Sequence, residues 1–181
     1  MNIQCHKCSI AKKRKHIVVG RGEMPADVLF LGEAPGKSED TMGVPFIGPS
    51  GEMLNVMMEE AAVNVGFKKL PTFYLSNIVL CRPYVTDEKA DDYLASREPN
   101  ATEIFNCTPH ILDIIAAVQP KVTIFVGKIA EENYAKELID HVRIFHPTFL
   151  LKHGGKTSPY YMTDIRLIEK AFSMLGEEYA L

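Results

Sequence analysis

Residues 26–33, ADVLFLGE, form a short and nearly continuous apolar run that stops at the turn GEAPG, residues 32–36. A run of that length bounded by Gly and Pro reads as a strand buried on both faces and feeding a loop. Such a strand needs helices over both faces of its sheet, which points away from a half-wetted antiparallel sheet. The next segment agrees. Ser50 can cap a helix in which Met53, Leu54, Met57, Met58, Ala61 and Ala62 recur at helical spacing, with Gly66 as the stop.

The alternation continues. Further strands are expected at 73–80 (FYLSNIVL) and 121–127 (KVTIFVG), with a shorter one at 141–145. Helical runs lie around 104–118 and 129–139. Pro109 should break the first of these, so its helix is expected to start near Pro109 after a short turn. Thr163 can cap a closing helix through Leu175. Alternating strands and helices imply an α/β fold with a mostly parallel sheet, which binds ligands beyond the carboxyl ends of its strands. GEAPG, Asn77 and His146 all fall at such ends. Residues 85–102 are charged and without period, a surface excursion between two elements.

With 181 residues and 46% hydrophobic content, the chain suits one core and one domain. A net charge of −3 gives no whole-molecule attraction to nucleic acid or membrane, so any such contact needs a local patch. Lys12, Lys13, Arg14, Lys15 and His16 form the strongest basic cluster, either a phosphate contact or a solvated face. No run reaches the roughly eighteen apolar residues of a membrane span, and no leader pattern opens the chain, so a cytoplasmic protein is expected.

In a reducing compartment, four cysteines point to metal binding or catalysis rather than to disulfides. Cys5 and Cys8 form a C-x2-C pair able to bite one metal, and Cys81 and Cys107 would complete a four-thiolate site. The plainer alternative leaves Cys81 and Cys107 as buried thiols. Spacing does not choose between zinc, with His6 as a further candidate ligand, and an iron-sulfur cluster.

Among the remaining candidates, residues 32–36 lack the ending of a phosphate-binding P-loop and the spacing of a dinucleotide fingerprint. They place the carboxylate of Glu33 and free backbone N–H groups at the mouth of the sheet. Phe46 lies on a loop between prolines and glycines. Asn77 interrupts an apolar strand and needs partners for a buried amide. His146, at a strand end, can lend a proton or a hydrogen bond near neutral pH. The Glu33 turn and Asn77 are equally readable as structural, and a phenylalanine or histidine so placed is more often structural than not.

Taken in order, C-x2-C, GEAPGKSED, GVPFIGPSG, SNIVLCRP, a further cysteine before Pro and HPTFLL resemble the iron-sulfur uracil-DNA glycosylases of family 4, over residues 5 to about 152. The resemblance implies a three-layer α/β/α domain around a four-stranded parallel sheet, with an N-terminal cysteine arm (1–20) and a cluster-loop excursion (82–107). It implies a 4Fe-4S cluster on Cys5, Cys8, Cys81 and Cys107, in preference to zinc, and hydrolysis of the N-glycosidic bond of deoxyuridine in DNA. By the same resemblance Phe46 stacks on the extruded uracil, Asn77 reads its Watson-Crick edge, and Gly32 and Ala34 line the base site. His146 approaches O2, and Glu33 positions the attacking water, with Asp40 or Glu39 as substitutes.

Phosphates of uracil-containing DNA, single- or double-stranded, are expected at Ser50 and Gly51 and at Lys152, His153 and Lys156, with Phe149, Leu150 or Leu151 as a wedge. The protein is expected to act as a monomer. It departs from the family pattern at Leu80, where lysine is common, at Tyr84 for a second proline, at Lys152 for arginine, and in a long gap between Cys81 and Cys107. Two other readings stand beside excision. One is a protein of this fold that binds or processes a modified base without excising uracil; the other is a metal-stabilised binding module without catalysis.

Overall fold

The computed structural model describes residues 4–85, 96–138, 140–176 and 179. Its strands are β1 (Arg21–Gly22), β2 (Val28–Gly32), β3 (Phe73–Asn77), β4 (Val122–Val126) and β5 (His141–Ile144). They form one sheet in the order β1-β3-β2-β4-β5. β2 to β5 are mutually parallel, and β1 adds a short antiparallel edge to β3, with Arg21 opposite Leu75. The four-stranded parallel core is as expected; the fifth strand is an addition that the sequence pattern does not mark.

Side chains alternate across each strand. Val28 and Phe30 of β2 face a core shared with α2 (Pro49–Asn64) and α6 (Tyr161–Phe172), while Leu29 and Leu31 face α3 (Ala101–Val118) and α4 (Lys128–Tyr134). The result is a three-layer α/β/α arrangement. Strand connections diverge to β3 on one side of β2 and to β5 on the other side of β4, which opens a crevice beyond Gly32 at the strand ends.

Several boundaries differ from the sequence expectation. α3 does not start at Pro109 but at Ala101. Asn100 and Glu103 form a capping box there, and Arg97 pairs with the buried Glu103 carboxylate at 2.6 Å. Cys107, Ile111, Ile114 and Val118 supply a buried stripe, and this helix carries Pro109 inside it. The excursion thus ends at Asn100, and Cys107 sits in a helix rather than a loop; residues 86–95 lie outside the described ones. α6 starts at Tyr161, not at a Thr163 cap. α2 starts at Pro49 after Gly48, which places Ser50 within the first turn. Two loops of the reading contain helices, α1 (Lys37–Met42) and α5 (Pro147–Lys152). Both are too short for a period to show.

Candidate active site and candidate metal centre

A cavity of about 270 Å³ opens at the carboxyl ends of the strands, lined by Ala34, Glu39, Phe46, Ser50, Asn77 and His146 among others. Gly32 and Asn77 are paired terminal residues of β2 and β3. Gly32 must lack a side chain. A Cβ there would lie 2.5 Å from Asn77 Oδ1 and 2.6 Å from Phe46 Cζ, so the ring and the amide meet over its backbone. Gly51 is tighter still, with a Cβ position 1.8 Å from the Phe46 carbonyl oxygen. Gly51 is therefore buried under the Phe46 backbone, a structural duty that the phosphate-contact reading did not assign.

Asn77 is 3% exposed, and its Nδ2 is buried without a hydrogen-bond partner. A buried amide donor left so costs about 1–3 kcal/mol, which an acceptor on a ligand would relieve. His146 caps α5. Its Nδ1 accepts the Thr148 N–H at 3.2 Å, which leaves Nε2 to carry the proton, and burial pushes its pKa below the ordinary value. Ser50 and Thr148 share a hydroxyl hydrogen bond of 3.1 Å that joins the starts of α2 and α5.

The three carboxylates differ. Glu39 accepts the backbone N–H groups of Gly36 and Phe46, so it fastens the loop. Asp40 is fully buried and accepts the N–H groups of Lys15 and His16 at 3.0 and 3.3 Å, which ties the N-terminal arm to α1. Glu33 lies in an adjoining cleft with Glu98, Arg97 and Lys152, which meets the cavity at Ala34, Gly36 and His146. Burial raises its pKa, and the negative charge of Glu98 raises it further.

The proposed DNA contacts are uneven. Lys152, His153 and Lys156 are exposed, and Lys152 lines the cleft that holds Glu33. Of the three wedge candidates, Leu150 is fully buried and Phe149 stacks on Phe145 and His153 at 4.8 and 4.0 Å, so neither is free; Leu151 alone is exposed. The basic run 12–16 is not one solvated stripe, because Arg14 turns to the cysteines and the His16 ring bonds the Asp40 carbonyl at 2.8 Å.

The four cysteines line one pocket with Ile10, Arg14 and His110. Exposed His6 is not part of it. The thiols surround a space; among the described residues, no three His, Cys, Asp or Glu side chains meet at a single-ion site. Arg14 Nη1 approaches Cys81 Sγ at 3.6 Å and Asn106 Nδ2 approaches Cys8 Sγ at 3.5 Å, donors suited to thiolate sulfur. His110 Nε2 is buried in the same place without a partner. Burial pushes the Cys107 thiol up to about 12, and a bound metal cation would displace its proton. The donor set fits a cluster bound through thiolates.

No helix among the described residues is long and apolar enough to cross a membrane. The family model "Uracil DNA glycosylase superfamily" matches residues 19–167. The type-4 uracil-DNA glycosylase of Saccharolobus solfataricus is 34% identical over 135 residues, covering 75% of this chain and 56% of the relative. That of Pyrobaculum aerophilum is 36% identical over 126 residues, 70% of this chain and 57% of the relative. The Thermotoga maritima protein of the same name is 27% identical over 192 residues, 97% of this chain and 91% of the relative. The matches to the two archaeal relatives thus span little more than half of their length. A family match across most of the chain coincides with a strand-end cavity that brings Gly32, Phe46, Asn77 and His146 together, and on these grounds the chain belongs to the uracil-DNA glycosylase superfamily.

Proposed function

We propose that this protein is a monofunctional uracil-DNA glycosylase that extrudes uracil from DNA and hydrolyses its N-glycosidic bond, leaving an abasic site. The observation that carries this reading is the buried, unpartnered Nδ2 of Asn77 beside the Phe46 ring, which calls for a flat ligand with a carbonyl acceptor at its edge. Uracil O4 is such an acceptor, whereas the amino group of cytosine would oppose the amide hydrogens. Unstacking a base costs a few kcal/mol, which stacking on Phe46 and edge contacts at Asn77 offset.

As the C1′–N1 bond lengthens, negative charge gathers on the base and positive charge on the sugar. The neutral His146 ring, with its Nε2 proton, donates to O2 and stabilises the first. Glu33, outside the base cavity and facing the adjoining cleft, orients the water that attacks C1′ and stabilises the second. Glu39 and Asp40 are engaged with backbone N–H groups, which favours Glu33 among the three. The first turn of α2 at Ser50, together with Lys152, His153 and Lys156, contacts phosphates of the bound strand.

Cys5, Cys8, Cys81 and Cys107 hold a 4Fe-4S cluster rather than zinc, a reading favoured by thiols arranged around a space. The cluster would serve as a cross-link between the arm, the Cys81 loop and α3 rather than as an electron carrier. Incubation with a single-stranded uracil oligonucleotide followed by alkali tests the function. Strand cleavage at the uracil is expected; intact strands would reject excision and leave base recognition without cleavage.

A further inference from the structure

β1 is only two residues long, yet its Arg21 reaches the loop that carries Phe46. Arg21 Nε donates to the Pro45 carbonyl at 3.0 Å, and Nη2 donates to the Phe46 carbonyl at 3.3 Å and to Asn55 Oδ1 of α2 at 3.2 Å. From the other side, Glu39 accepts the Phe46 N–H. Phe46 is therefore held at both of its backbone polar groups. Its φ is +53°, in the left-handed region that a bulky L residue rarely enters and keeps only where its surroundings over-determine it. Burial opposes the charge on the guanidinium, and Glu39 is the carboxylate that supports it.

We propose that Arg21 is the positioning residue for the aromatic platform of the cavity, acting through the backbone of Phe46 and not through contact with the base. The proposal rests on the reading of the cavity as a base site. Arg21 is not among the cavity-lining residues, whereas Phe46 is. The planar guanidinium serves two successive carbonyls and a side-chain amide at once, a geometry that an ammonium group cannot reproduce. With the loop fixed, the ring lies over Gly32 beside Asn77, so that a stacked base presents one edge to Asn77 and the other to His146. A ring displaced by about 1 Å would misalign both contacts.

A double-mutant cycle on single-stranded uracil DNA under single-turnover conditions tests this. Arg21→Ala is expected to slow excision at least about tenfold, Arg21→Lys less, and Arg21→Ala in a Phe46→Ala background less than about twofold. Equal penalties in both backgrounds, or a wild-type rate for Arg21→Ala, would overturn the proposal. Melting curves control for folding, and Arg21→Lys carries the test if the alanine variant does not fold.

Amide hydrogen exchange provides a readout independent of activity. Exchange over residues 43–51 is expected to speed up in the Arg21 variants while β2 to β5 remain protected. Unchanged exchange there would overturn the proposal. A wild-type protein that fails to excise would reject the glycosylase reading instead, and the exchange comparison would still decide the role of Arg21.

Discussion

His146 Nδ1 accepts the backbone N–H of Thr148 at 3.2 Å, so one bond both caps α5 and fixes which ring nitrogen carries the proton. A cap and a donor are separable by substitution. His146→Asn retains a side-chain oxygen for the cap but withdraws the donor from Nε2. Both His146→Ala and His146→Asn are expected to lose about 10²-fold in single-turnover excision, with the asparagine variant the more stable of the two. Full activity in His146→Asn would show that the residue acts only as a cap.

The pH profile should carry the mark of Glu33. Its carboxyl pKa, raised by burial and by Glu98, must be passed for the group to ionise and orient water, so excision should fall as pH drops, at a higher pH than an ordinary glutamate would set. Neutral His146, its pKa lowered by burial, keeps both the Nε2 proton and the Nδ1 lone pair that caps α5 through the neutral range. Glu98→Gln removes the negative neighbour and lets Glu33 ionise earlier. The acid limb should then move to lower pH, as rates measured between about pH 4 and 8 would reveal. An unmoved limb would detach Glu98 from the chemistry.

Gly32→Ala inserts a methyl group 2.5 Å from Asn77 Oδ1 and 2.6 Å from Phe46 Cζ. Overpacking of this kind costs about 1–3 kcal/mol and displaces the ring. Excision is expected to drop more than about tenfold while the melting curve stays cooperative; assay and melting on the same preparation check the pairing.

Cys107→Ser is expected to remove broad absorption near ~400 nm and bound iron, and to lower the melting temperature, because α3 loses its tie to the arm. Iron analysis, the spectrum and thermal melting measure the three effects. Stoichiometric zinc in a colourless wild-type protein would reject the cluster.

Asp164 is fully buried and accepts the Phe145 N–H at 3.0 Å, with Oδ1 unpartnered; burial raises its pKa to about 6. A raised carboxyl pKa means that the folded state holds the proton more tightly than the unfolded chain. Stability is therefore greatest below about pH 4 as far as this group is concerned, and falls as pH rises towards about 6, by something on the order of 3 kcal/mol. Asp164→Asn keeps an acceptor for Phe145 and should flatten that slope in denaturant titrations at stepped pH.

The parallel core was legible because β2 and β4 are fully buried, so their apolar runs leave little choice of element. Asn77 and His146 were legible as polar groups at the ends of such runs. The start of α3 was misread at Pro109, since the Asn100–Glu103 box and the Arg97 ion pair outweigh a local helix breaker. Leu150 looked like a wedge candidate but is core, because only the turn of α5 decides which side of a short helix faces in.

By itself the sequence determined the α/β class, the family through its ordered motifs, and the residues that could carry chemistry, because burial periodicity and motif spacing are written along the chain. Tertiary structure alone decided that Glu39 and Asp40 fasten backbone while Glu33 faces the cleft, that Gly51 lies beneath Phe46, and that Arg21 on an unmarked edge strand grips the Phe46 loop. Those duties depend on which groups meet across tens of residues of separation. Hydrogen bonding and excluded volume act at contact distance, and contact distance exists only once the chain has folded.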